Sequence, residues 1–173
     1  MRNIEVKARL RSRLEAEAVA ARMSGGDGVL LEQTDTYFRV PEGRLKLREE
    51  GERAEIIFYR RSNEPGPRPS DYEIVGVDDP HRLKYLLERA LGVLIVVSKT
   101  RRLYLDGRVR IHVDSVRSLG DFIEFEAVLE EGENEELANL RLSELLREFS
   151  IDPEDLIEES YCGLLQALLA AGK

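Results

Sequence analysis

Residues 107–116 read GRVRIHVDSV, and residues 120–129 read GDFIEFEAVL. In the first segment Val109, Ile111 and Val113 alternate with Arg108, Arg110, His112 and Asp114; in the second, Ile123, Phe125 and Ala127 alternate with Glu124 and Glu126. Period two at this length predicts β-strands. Each strand separates an apolar face from a charged one. The Asp106-Gly107 pair is a two-residue hairpin signal that joins the first segment to an apolar run over 93–105. The same sorting recurs at a distance. Arg44, Lys46 and Arg48 oppose Leu45 and Leu47, Lys99 and Arg101 share a face, and Asn3, Glu5, Lys7 and Arg9 alternate with Ile4, Val6, Ala8 and Leu10.

Working outward, 34–40 and 44–50 form a hairpin around Pro41-Glu42-Gly43, 54–61 is a strand rich in β-branched and aromatic residues, and 72–77 is another. Residues 62–69 carry three prolines and a glycine, which predicts a loop with no ladder of its own. Ser12 and Glu15 make a capping box that opens a helix stopped by Gly25-Gly26. Asp78-Asp79-Pro80 opens a second helix that ends at Gly92. A third covers 137–149, Asp152-Pro153 starts a short one, and Ser160 caps a last helix running to Leu169. Gly25-Gly26-Asp27-Gly28 follows a helix instead of opening one, so it is no phosphate loop. About eight strands joined by hairpins predict antiparallel pairing and an α+β class, in a single domain over 1–173.

Composition narrows the function. The chain has 173 residues, with 26 Lys and Arg against 34 Asp and Glu, for a net charge of −8. That balance argues against a binder of nucleic-acid duplexes. It leaves room for a local basic groove. One cysteine excludes an internal disulfide and a cysteine-based zinc site. The longest apolar run, 93–97, is far too short to span a membrane. Residues 1–15 lack the apolar centre of a secretion signal, so the expected compartment is the cytoplasm.

The charged strand faces decide between two architectures. On an open sheet they would simply be solvated. On a sheet closed on itself they would line a channel, and a channel lined by cations and carboxylates must hold water, metal or an ionic ligand, because buried unpaired charge is very costly. Lys and Arg converging from several strands suit a polyanion such as a triphosphate. Clustered carboxylates suit a hard cation, Mg2+ or Mn2+. Phosphoryl chemistry uses both.

Seven stretches carry a family resemblance: NIEVK at 3–7, TDTYF at 34–38, GRLKLRE at 43–49, KTR at 99–101, RVRIHVD at 108–114, GDFIEFE at 120–126 and SYCGLL at 160–165. In this order, across nearly the whole chain, they resemble the CYTH superfamily, the triphosphate tunnel metalloenzymes, and within it the class IV adenylate cyclase-like branch. The resemblance implies an eight-stranded antiparallel β-barrel, a tunnel, with flanking helices. It implies ATP or another triphosphate as substrate and Mg2+ or Mn2+ as cofactor. Glu5, Asp114, Glu124 and Glu126 would be the metal carboxylates. Lys7, Lys46, Arg48, Arg60, Lys99 and Arg101 would bind the triphosphate, with Lys7 and Arg101 also catalytic. The register at Arg60, which Arg61 follows, is left open by the pattern. One departure stands out: the family begins E-x-E-x-K, whereas this chain reads Asn3-x-Glu5-x-Lys7, with a neutral amide in place of one carboxylate. Resemblance to bacterial relatives makes a homodimer an expectation.

Other residues read as structural first. His112 shares the charged face as an ordinary polar residue or an acid–base group. His81 sits at an exposed helix start, Cys162 packs in a helix, Ser160 and Tyr161 cap and pack against the tunnel, and Tyr37 is a strand tyrosine within ligand reach. Three functions follow: a cyclase-like or triphosphatase enzyme, a triphosphate-binding module without turnover, or an interaction protein with a wet charged sheet.

Overall fold

The computed structural model of the chain describes residues 2–61, 66–130 and 133–172. Its strands are β1 (Arg2–Arg9), β2 (Val29–Phe38), β3 (Arg44–Glu50), β4 (Arg53–Arg61), β5 (Arg68–Gly76), β6 (Val93–Asp106), β7 (Val109–Val116) and β8 (Gly120–Leu129). They close into one barrel in the order β1-β5-β4-β3-β2-β6-β7-β8. All pairings are antiparallel. Four helices flank it: α1 (Arg13–Ser24), α2 (Pro80–Leu91), α3 (Glu135–Glu148) and α4 (Tyr161–Ala171). No helix among the described residues is long and apolar enough to cross a membrane.

The barrel is packed from the outside. Ile4, Val6 and Ala8 of β1, Val109, Ile111 and Val113 of β7, and Ile123, Phe125 and Ala127 of β8 form one buried cluster with Ala16 and Ala20 of α1 and Leu142 and Leu145 of α3. These are the apolar alternates, and the helices cover them. A second cluster sets Phe38 and Leu47 against Leu83, Leu87 and Leu91 of α2. With the apolar faces turned outward, the charged alternates must face the lumen, because strand side chains reverse direction at every residue.

At one end the inward rows become apolar. Tyr37, Ile95, Val97, Val116 and Phe122 pack there with Tyr161 and Cys162 of α4. Ser160 caps that helix by accepting from the Gly163 N–H at 3.1 Å, which directs its first turn onto the barrel end. The lumen is therefore stopped at the α4 end.

Two expectations are corrected. Arg68 and Pro69, expected in a loop, belong to β5, and Pro69 pairs with Ile4 in the ladder between β1 and β5 that closes the barrel; residues 62–65 lie outside the described residues. Proline lacks only the donor of its ladder position, and near a strand start that loss is tolerated. β2 begins at Val29 instead of residue 34 because Val29-Leu30-Leu31 breaks the alternation while pairing with β6 continues from Val29 to Phe38. Gly43 ends the turn before β3 at φ +68, and a Cβ there would lie 2.8 Å from the Phe58 ring. Only glycine fits that close approach.

Candidate functional site

The lumen holds a cavity of about 530 Å³, within the range of roughly 300–1,000 Å³ that small-molecule sites occupy. Its lining divides by strand. β2, β3 and β6 supply Asp35, Lys46, Arg48, Lys99 and Arg101; β1, β7 and β8 supply Glu5, Lys7, His112, Glu124 and Glu126.

On the cationic side Asp35 is the hub. It is 1% exposed and accepts from Lys46 Nζ at 3.1 Å, from Lys99 Nζ at 3.1 Å, and from Arg48 through Nε at 2.7 Å and Nη2 at 2.8 Å. Burial alone would raise its carboxyl, but Lys46, Lys99 and Arg48 together hold it well below the usual range. Burial pushes the Lys99 ammonium down to about 7, and burial with Arg48 pushes Lys46 to about 8.

Arg101 stands between the halves. Its guanidinium forks onto both Asp114 oxygens at 2.6 Å and reaches Glu124 at 3.0 Å. Tyr161 donates its hydroxyl to Asp114 at 2.8 Å. Burial opposes ionisation of Asp114, yet Arg101 holds it down at about 2. Both Asp114 oxygens are thus engaged, and the residue supports Arg101 from behind.

On the acidic side the spacing is looser. Lys7 Nζ lies 3.3 Å from Glu124 and 4.1 Å from the centre of the Tyr161 ring. His112 places Nδ1 3.6 Å from Glu124 and Nε2 3.8 Å from Glu126. Its imidazole is shifted down by burial and by Arg101, which favours the neutral form. Glu126 takes Arg110 at 3.4 Å and the Asn3 amide N–H. Glu5 sits across the ladders from both Glu126 and Arg68.

For a divalent cation the fit is one of donor chemistry. Asn3 Oδ1 is buried without a hydrogen-bond partner, and with Glu5, Glu124 and Glu126 it makes an all-oxygen set in one quarter of the lumen. Among the described residues no three acidic, histidine or cysteine side chains already converge at ligand geometry. Binding would have to draw Glu124 and Glu126 from their cations.

Of the residues singled out in the sequence, Glu5, Lys7, Lys46, Arg48, Lys99, Arg101, Glu124 and Glu126 meet in the lumen. Arg60 does not. It is on the opposite face of β4, 66% exposed and paired with Glu42 at 3.3 Å, because Tyr59 and Ile57 take the inward alternates. Sequence reading passed over Asp35, although Asp35 and Tyr37 stand on alternate positions of one strand. Tyr161 does more than pack: it touches both Lys7 and Asp114.

A closed antiparallel tunnel with its charge inside and its hydrophobic core outside defines a class of proteins that hold ionic ligands in a barrel. The CYTH domain family matches residues 1–161, and the chain belongs to that family. Solved structures with the same fold include the PH1012 protein of Pyrococcus horikoshii (TM-score 0.80, 24% identity, 94% of this chain and 98% of that one). They also include a Vibrio parahaemolyticus protein proposed to be an adenylate cyclase (TM-score 0.75, 18% identity, 95% and 97%). A third is a Bacillus halodurans protein with the same proposed activity (TM-score 0.57, 19% identity, 86% and 89%). No curated protein sequence matches the chain significantly.

Proposed function

We propose that this protein is a metal-dependent enzyme that holds an organic triphosphate in its tunnel, with ATP converted to cyclic AMP and pyrophosphate as the first reading. The observation that carries it is the convergence of Lys46, Arg48 and Lys99 on Asp35 from the two strands that flank β2, with Arg101 bridging to Glu124 on the acidic side at 3.0 Å. An ester, rather than a bare polyphosphate, is supported by the apolar share of the lining, where Leu31, Ile57, Ile74 and Leu103 join the charged groups.

In this reading Lys46, Arg48, Lys99 and Arg101 bind non-bridging phosphate oxygens. Lys7, held between Glu124 and Tyr161, faces the same charge. Cyclisation forms a bond from the ribose 3′-oxygen to the α-phosphorus and breaks the bond to the bridging oxygen, and pyrophosphate leaves with the electron pair. The 3′-hydroxyl proton needs an acceptor, and His112, held neutral, is the base in the lumen. Mg2+ or Mn2+ at Glu5, Glu124, Glu126 and Asn3 would neutralise charge developing on the phosphates. Hydrolysis of a nucleoside triphosphate, thiamine triphosphate or tripolyphosphate is the second reading: water attacks the terminal phosphorus, the bridging anhydride oxygen leaves with the electron pair, and neutral His112 beside two carboxylates makes a set able to orient that water.

The test is incubation with ATP, thiamine triphosphate and tripolyphosphate plus Mn2+ or Mg2+, with every product identified. Cyclic AMP with pyrophosphate supports the first reading, and inorganic phosphate the second. Thermal stabilisation by triphosphate without any product would make the protein a binding module.

A further inference from the structure

A site built only to attract phosphate gains nothing from a carboxylate at its centre, because the carboxylate competes for the same cations. Asp35 is nonetheless there, almost fully enclosed. β2 lies between β3 and β6, so Asp35 receives Lys46 and Arg48 from one neighbour and Lys99 from the other. Both ammonium groups donate to the same oxygen, Oδ2, each at 3.1 Å. The three cations and one carboxylate leave a surplus of two positive charges.

The groups around this cluster explain why a carboxylate is needed. Arg48 on β3 and Arg101 on β6 repel the ammonium groups, as the lysines repel each other. Tyr37 of β2, Tyr59 of β4 and Tyr161 of α4 bring uncharged rings, with Lys46 5.6 Å from the Tyr37 ring and Lys99 5.6 Å from that of Tyr161. On β7 Asp114 attracts Lys99, but both its oxygens are given to Arg101. Asp35 is therefore the main attraction that keeps two buried lysines ionised against desolvation and like charge. A neutral amine holds no phosphate by charge.

We propose that Asp35 is a positioning residue of the anion site: it keeps the Lys46 and Lys99 ammonium groups charged and converged on one point, so that an arriving phosphate oxygen meets two protonated lysines. This rests on the reading of the tunnel as a triphosphate site. The sign is opposite to simple electrostatics, in which deleting a negative charge from an anion site tightens binding at every pH.

The test uses the full chain and metal-free tripolyphosphate, with affinity and proton uptake measured by calorimetry from about pH 6 to about pH 8.5 at fixed ionic strength. Asp35→Asn should bind comparably to wild type near pH 6 and fall away more steeply, ending about tenfold weaker or more near pH 8.5, with greater proton uptake. Adding Lys99→Arg to Asp35→Asn should restore much of the loss, because arginine stays charged throughout. A profile for Asp35→Asn that runs parallel to wild type, or tighter at every pH, overturns the proposal and leaves the tunnel reading intact. If wild type binds no tripolyphosphate at any pH, both fall together. Should Asp35→Asn fail to fold, Lys99→Arg alone carries the test. Its affinity should fall less than that of wild type from about pH 6.5 to about pH 8.5, because arginine stays charged where Lys99 does not, and a fall parallel to wild type would overturn the proposal.

Discussion

The two halves of the tunnel lining differ in how finished they are. On β2, β3 and β6, three cations already sit at hydrogen-bond distance around Asp35, between 2.7 and 3.1 Å. On β1, β7 and β8, several contacts of the acidic groups are slacker, with His112 at 3.6 and 3.8 Å and Lys7 at 3.3 Å. The cationic half is preorganised by an internal anion. The acidic half is held by cations that a metal would displace. On the proposed reading a triphosphate finds the first half ready, and a metal would have to rearrange the second.

The largest effect should come from the finished half. Lys46→Glu with Arg48→Glu should lower triphosphate affinity by about a hundredfold or more, since each reversal replaces a charge-assisted hydrogen bond with repulsion. Unchanged thermal stabilisation by tripolyphosphate would remove the cationic half from function.

On the acidic side, Glu124→Gln with Glu126→Gln should cut metal-dependent turnover by about a hundredfold or more while leaving the fold and metal-free tripolyphosphate binding in place. Both residues face the lumen, away from the apolar layer, so circular dichroism should be unaltered. Full turnover in this variant would break the division of labour between the halves.

The pH response should separate them further. Lys99 at about 7 and Lys46 at about 8 lie below the ordinary lysine value in the folded protein. From about pH 7 to 8.5 the unfolded chain thus binds more protons, and stability should rise with pH while tripolyphosphate affinity falls. Cys162, lifted to about 11 by burial, works against this at higher pH. Asp114 acts with the same sign in a lower window. Its folded value of about 2 lies below the unfolded one, so its contribution is complete above about pH 4 and lost as pH falls toward 2. Denaturant titrations should show stability rising with pH across both windows. A flat profile from pH 7 to 8.5 would contradict the account of the lysines.

The smallest effect belongs to Arg60. Arg60→Ala should change affinity and turnover by less than about twofold, because its exposed pair with Glu42 lies outside the barrel. A larger loss, measured beside Lys46→Ala, would reopen the β4 register.

The alternation at 3–10, 44–50, 108–116 and 120–129 was enough to assign strands and to place Glu5, Lys7, Lys46, Arg48, Glu124 and Glu126 on charged faces. Period two is a local property of the backbone and needs no partner to be visible. Arg60 and Arg61 show where this runs out: two adjacent like charges carry no period, and pairing of β4 with β3 and β5 selects the face. Asp35 was hidden for a related reason. An isolated aspartate in TDTYF gains its meaning only when Lys46 and Lys99 arrive from other strands.

Sequence alone thus determined the strands, their two-sidedness and the mixture of cations and carboxylates that calls for an ionic ligand. Tertiary structure decided that the sheet closes through Arg68 and Pro69, that α4 stops one end, and that Asp35 and Asp114 serve cations rather than standing open. The physical reason is range: side-chain alternation is set within a few residues, whereas the balance between desolvation and charge at a buried group depends on neighbours brought together only by closure of the barrel.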